Sequence, residues 1–138
     1  MIRQLSIFAE NKKGAMNRIT QILFDAGINM NTLVTNDSAE FGIIRMLVSD
    51  TEKAAKALEA AGYMCRMDRV IAAEIGDESG SLNSLLSVIT DGNINLDYLY
   101  VTYNTLSRLP VAILKTRDPA TVEVFLWGRG YKTLERID

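Results

Sequence analysis

The stretch "DAGINMNTLV", residues 25–34, sets a small turn before an apolar-polar run that carries two asparagines. Alone it is an ordinary lead-in to a strand. An offset of 66 lays it over "DGNINLDYLY", residues 91–100. The same offset places Leu5, Ile7 and Ala9 on Ile71, Ala73 and Ile75, and Gly14 on Gly80. Met16, Ile19, Ile22 and Leu23 fall on Leu82, Leu85, Val88 and Ile89; Ile28, Asn29, Met30 and Leu33 fall on Ile94, Asn95, Leu96 and Leu99. After two extra residues near "YNTLSRLP", the offset becomes 68 and sets Ile43, Met46, Asp50 and Gly62-Tyr63 on Val111, Leu114, Asp118 and Gly130-Tyr131. Identities are few. The shared spacing of apolar and turn residues identifies a duplicated unit.

Each copy reads as strand, helix, strand, strand, helix, strand. Leu5, Ile7 and Ala9 alternate with polar neighbours at the period of a strand, and Met16, Ile19, Ile22, Leu23 and Ala26 follow the 3.6-residue period of an amphipathic helix. Residues 28–35 and 41–49 are strand-like. "SDTEKAAKALEAAG" is a second helix, with Asp50 or Ser49 as its cap and Gly62 suited to a left-handed end. Asp118-Pro119 opens the matching helix of the second copy with a capping carboxylate and a proline at the first helical position. Residues 63–67 and 131–137 are expected to close the units as final strands. A βαββαβ unit of this size implies a ferredoxin-like α+β sandwich, an antiparallel sheet with helices on one face. The expected domains are residues 1–69 and 70–138. No linker separates the units: residues 63–75 run from the last strand of one into the first of the next with no proline or glycine, so the reading expects rigidly held units.

Composition limits the chemistry. The chain has 138 residues, 48% hydrophobic and 23% charged, which suits a globular protein. No run approaches the roughly 18 apolar residues of a membrane span, and "MIRQLSIFAENKKG" lacks the layout of a secretory signal. A single cysteine, Cys65, precludes an intrachain disulfide and fits the cytoplasm. The net charge of −2 gives no reason to expect nucleic acid or a membrane surface as partner. The absence of histidine removes Ser-His-Asp and Cys-His catalysis and the commonest metal ligand. No metal site, cofactor or catalytic residue is expected.

The fold hosts many functions, so the loops must decide. The first loops, "ENKKG" and "GDESG", lack the CxxC of a metal chaperone. The third strands, "FGIIRMLVS" and "LPVAILKT", are mostly aliphatic, unlike the aromatic platform of an RNA-binding sheet. No arginine–asparagine pair is placed as an acylphosphatase requires. "NKKGAM", residues 11–16, and "DESGSL", residues 77–82, resemble instead the D-x-P-G-x-L turn of the ACT domain. "GINM", residues 27–30, and "NINL", residues 93–96, resemble its G-I-N-I lead-in to the second strand. The resemblance covers nearly the whole chain, once per half. Both loops lack the proline, Asn11 replaces the acid in the first, and Asn93 replaces a glycine in the second.

The residues themselves describe a carboxylate site. Gly14 and Gly80 lie between strand and helix, where glycine permits a tight turn and a close backbone approach. The N–H groups that follow favour an anion, those of Ala15 and Ser81 first, with Met16 and Leu82 next in line. Asn29, Asn31, Asn95 and Asp97 alternate along the second strands, and Asp97 offers a carboxylate to an ammonium. Asn11, Lys13, Asp77 and Ser79 complete the loops. The plainer roles are turn glycines, local hydrogen bonds at Asn29 and Asn95, solvated charges at Lys12 and Lys13, and helix-end acids at Asp77 and Glu78. The tyrosines Tyr98, Tyr100 and Tyr103 and Trp127 read as packing residues, and Cys65 as a small buried hydrophobe. The resemblance implies that the glycine loop of one unit joins the second strand of another around the ligand. It thus implies a non-catalytic regulatory protein that binds a free amino acid and acts allosterically on an enzyme or regulator in trans; a homodimer is expected because two repeats leave sheet faces or edges to cover. No attached catalytic or DNA-binding domain is expected. A structural module that dimerises or docks without ligand stays open, as does a small-molecule enzyme using lysine, tyrosine or carboxylate chemistry.

Overall fold

The structure, a computed structural model, describes residues 1–10, 12–35 and 41–137. The chain divides into two compact units, Arg3–Asp68 and Arg69–Asp138, with Met1 and Ile2 grouped with the second. The elements of the first are β1 (Ile2–Glu10), α1 (Ala15–Asp25), β2 (Met30–Thr35), β3 (Phe41–Val48) and α2 (Thr51–Ala60). β4 (Met64–Glu74) follows, and then α3 (Ser81–Asp91), β5 (Leu96–Tyr103), β6 (Pro110–Thr116), α4 (Pro119–Gly128) and β7 (Lys132–Thr133). Each unit is a ferredoxin-like sandwich.

The two sheets share one plan, with strand orders β2-β3-β1 and β5-β6-β4-β7. In the first, Leu5 pairs with Met46 and Leu33 with Met46 across antiparallel ladders. In the second, Ile71 pairs with Leu114 and Leu99 with Leu114. The offsets of 66 and 68 map one set of partners onto the other. Period-two alternation then fixes the buried faces. Leu5, Ile7, Ile44 and Met46 pack with Ile19 and Leu23 of α1 and Leu58 of α2. Ile71, Ala73, Ala112 and Leu114 pack with Leu85 and Ile89 of α3 and Leu126 of α4. Val70, Ala72, Val111 and Ile113, which alternate with these, are also fully buried. Burial of both faces explains why these strands read as continuous apolar runs.

Helix ends repeat as well. Asp50 accepts from the Lys53 N–H at 3.1 Å, and Asp118 accepts from the Thr121 N–H at 3.3 Å ahead of Pro119. Gly62 and Gly130 are left-handed, at φ +95° and +88°, and the next residues, Tyr63 and Tyr131, donate back to Leu58 and Leu126 at 3.0 Å. After α1 the left-handed residue is Gly27, at φ +72°, and after α3 it is Asn93, at φ +55°. Asparagine is among the few side-chain-bearing residues that adopt this backbone readily. The replacement of glycine there therefore leaves the turn intact.

The copies also diverge in matched pairs. A Cβ on Gly92 would lie 2.5 Å from Cζ of Phe125. The corresponding first-copy residues are Ala26 and Ala57. A large ring opposite glycine in one copy thus stands where two alanines stand in the other.

As the sequence reading expects, the chain runs without a break from the last strand of the first unit into the first strand of the second, as the single eleven-residue strand β4. The second final strand differs from that reading. Residues 131–137 supply only the two-residue β7, followed by one bond from the Leu134 N–H to the Ala72 carbonyl at 2.8 Å. The buried apolar residues there, Leu134 and Ile137, are three apart, a spacing that a period-two strand cannot place on one face. No helix among the described residues is long and apolar enough to cross a membrane.

Candidate functional site

In each unit the first strand ends in a turn that delivers the chain into a helix through glycine. Gly14 has φ +87° and ψ −8°, and Gly80 has φ +87° and ψ 0°. A residue with a side chain would cost roughly 1–2 kcal/mol in this left-handed backbone. Among the described residues, no atom beyond the adjoining ones lies within 4 Å of a Cβ built on either glycine, so they leave the space above each open.

The turns close on themselves. The Ala15 N–H donates to the Lys12 carbonyl and the Ser81 N–H to the Glu78 carbonyl, both at 3.2 Å. The helical ladders begin with Arg18 to Gly14 and Ser84 to Gly80, both at 2.9 Å. The amides in between are Met16 and Asn17 in the first unit and Leu82 and Asn83 in the second. They precede the ladder, and neither helix has a side-chain cap. The donors open to an anion therefore lie one residue beyond Ala15 and Ser81. Ser81 has a further role. Its Oγ lies 3.1 Å from where a Cβ on Gly76 would sit, so the hydroxyl occupies space that the glycine vacates.

The second loop borders a cleft of about 540 Å³. Residues 76–83 form one side, with Asp77, Glu78 and Ser79 exposed, and Val101, Tyr103 and Pro110 form the other. The far wall is built, not loose. Glu74 accepts hydrogen bonds from Asn104 Nδ2 at 3.3 Å and Ser107 Oγ at 2.9 Å. Asn104 is buried, and its Oδ1 accepts from the Leu106 N–H at 3.0 Å. The Ile75 N–H donates to the Pro110 carbonyl at 3.0 Å. The β5–β6 hairpin is thereby fastened to the strand that leads into the glycine loop.

The second-strand residues lie elsewhere in each unit. Asn29 and Asn95 precede β2 and β5, and both are exposed. Asn31 and Asp97 are each the extra residue of a register shift, between Met30 and Thr32 and between Leu96 and Tyr98. Bulges of this kind re-aim a side chain. The partners differ between copies: Asn29 Nδ2 donates to Asn31 Oδ1 at 2.9 Å, and the Asn29 N–H donates to Ser49 Oγ at 3.0 Å. Among the described residues, Asn95 and Asp97 make no side-chain hydrogen bond. Asp97 to Tyr103 spans roughly 20 Å of strand at about 3.3 Å per residue. The second glycine loop and Asp97 thus sit at opposite ends of β5. One amino acid, whose carboxylate and ammonium hang from one carbon, cannot touch both within a single unit.

Lys13 is exposed, and Lys12 pairs with Glu10 at 3.3 Å on the surface. Such a pair contributes little. Asn11 lies outside the described residues. No three His, Cys, Asp or Glu among the described residues are grouped to hold a metal ion. Cys65 is half-buried against the first core, and burial, followed by the nearby Glu59 charge, pushes its thiol up to about 11 from 9.0. Because the thiolate is the nucleophile, alkylation by iodoacetamide at pH 8 should be about a hundredfold slower in the folded protein than in urea. The folded value exceeds the unfolded one, so this group's contribution to stability is complete below pH 9.0 and lost as the pH rises towards about 11. Cys65→Ala should flatten that part of the pH–stability curve in chemical denaturation.

A family signature described as an ACT domain pair matches residues 1–127. The chain belongs to this ACT family. Protein BT0572 from Bacteroides thetaiotaomicron is similar in structure, with a TM-score of 0.88, 27% identity and coverage of 96% of this chain and 91% of that one. The regulatory subunit of aspartate kinase from Thermus thermophilus, in a ligand-free form, shares the fold at a TM-score of 0.65 and 13% identity, covering 91% of each chain. The aspartokinase alpha and beta subunits do so at a TM-score of 0.60 and 16% identity, covering 88% of this chain and 82% of that one. No match is found among curated proteins. The glycine turns between first strand and first helix were legible in sequence. The bulges and the hairpin wall were not. Their only sequence signals were a polar residue inside an apolar strand in both copies and the two-residue insertion before Pro110.

Proposed function

We propose that this ACT pair is a non-catalytic regulatory protein that binds a free amino acid at its glycine loops. The observation that carries the reading is the pair of uncapped helix starts, each behind a left-handed glycine with open space above it. Orphan donors and the helix dipole there favour a carboxylate. The ammonium needs acceptors. The separation along β5 supports taking them from the second strand of another ACT unit in a homodimer, where Asn95 and Asp97, or Asn29 and Asn31, would meet the loop. Asn11, Lys13, Asp77 and Ser79 would line the loop side. The copies would bind unequally, since only the second offers Asp97.

Regulation follows from coupling. A ligand that bridges two units favours one arrangement of them by the difference of its affinities for the two, and an enzyme or regulator in trans would read that arrangement. That a protein of this fold is named a regulatory subunit of aspartate kinase supports such a partner. Calorimetric titration with the proteinogenic amino acids tests the reading. At least one should bind, and at a hundredfold excess over its Kd it should stabilise the protein by about 2.7 kcal/mol. No heat and no stabilisation with any of them at millimolar concentration would remove it. Co-purification of a partner without ligand response would favour a docking module. On that reading, the exposed Val124 and Trp127 of α4 are the surface to test.

A further inference from the structure

The geometry points to an apolar amino acid as the ligand of the second glycine loop, selected by Val101, Tyr103 and Pro110. This rests on the reading of that loop as an amino-acid site. Val101 is 43% exposed and Tyr103 59% exposed, both on the cleft. Exposed apolar side chains side by side on one wall of a concave, part-polar surface mark a place where apolar ligand surface gains by burial. The charge of the lining argues against an acidic ligand side chain. Its only ionisable acids and bases besides Tyr103 are Asp77 and Glu78, and no lysine or arginine is present to pair a ligand side-chain carboxylate. An acidic side chain would be repelled there, and a glycine would leave the wall uncovered.

The wall is held in advance of any ligand. Glu74 binds both Asn104 and Ser107, and Pro110 is fastened to Ile75, so Tyr103 and Pro110 flank a hairpin with little freedom to lose. Preorganisation of this kind raises affinity by lowering the ordering cost. Glu74 is therefore a positioning residue for the wall.

Calorimetry with L-leucine, L-phenylalanine, glycine, L-aspartate and L-lysine tests the inference on the wild-type chain and on V101S/Y103S. Leucine or phenylalanine should bind about ten- to hundredfold more tightly than glycine or aspartate, as expected for burying one apolar side chain. The double variant should lose most of that preference and keep its affinity for glycine. Both substitutions lie on exposed residues, and a thermal melt should show the variant folded. Glycine, aspartate or lysine binding as tightly as leucine and phenylalanine would overturn the inference and leave the amino-acid reading standing. So would a preference unchanged in the double variant, or an equal loss for all five. Absence of binding by all of them would overturn both.

Discussion

Gly80→Val should abolish binding at the second glycine loop and lower folding stability by about 1–2 kcal/mol, the cost of a side chain in left-handed backbone. The backbone at Gly80 sits at φ +87° with nothing within 4 Å of an added Cβ. Stability therefore falls through conformation, not through a clash. The loss of binding has a separate cause, because the new side chain projects into the space a ligand needs. Gly14→Val is the internal control. Its φ is also +87° and, among the described residues, its surroundings are equally open, so its stability loss should match. Each variant should lose only the binding that belongs to its own loop. Chemical denaturation checks the first claim and calorimetric stoichiometry the second. Equal stability losses with unchanged stoichiometry would leave both residues as plain turn glycines.

Gly92→Ala is the second large effect. An added Cβ would meet Cζ of Phe125 at 2.5 Å and the neighbouring ring carbon at 2.9 Å, closer than real contacts allow. The ring must move, and the Arg129 guanidinium lies over it, 4.8 Å from its centroid. Overpacking of this kind costs about 1–3 kcal/mol. Phe125→Ala alone should also destabilise, by removing a ring packed against the second core. Combined, the two changes recreate the residues of the first copy, Ala26 and Ala57, and should cost less than the sum of the singles by at least about 1 kcal/mol. Additive losses in a double-mutant cycle would show that the ring relaxes freely and that the pairing is incidental.

The parts of the fold that periodicity governs were legible from the sequence. Leu5, Ile7 and Ala9 announced a strand and Ile19 and Leu23 a helix because a fixed repeat must place them on a buried face. Asp50, Asp118 and Gly62 announced helix ends because their side chains, or the lack of one, satisfy local geometry. The closing strand at residues 131–137 was misjudged where that logic weakens. Leu134 and Ile137 are both buried, yet no single period links them. At the site, the glycines and asparagines were visible because each answers a local demand. The wall of Val101, Tyr103 and Pro110 was invisible because it exists only once Glu74 has gathered Asn104 and Ser107, some thirty residues away. Met16 and Leu82 were legible as the donors next in line, but the withdrawal of Ala15 and Ser81 from the set was not. It depends on turn bonds to Lys12 and Glu78 that sequence does not encode as a pattern.

The most direct test of the amino-acid site is a backbone-amide NMR titration of the isotopically labelled chain with the tightest-binding amino acid. The amides of Leu82 and Asn83, or of Met16 and Asn17, should show the largest saturable shifts, with Gly80 or Gly14 beside them. Saturable shifts centred elsewhere, on the exposed face of α4 around Trp127 for example, with the glycine loops unmoved, would contradict it.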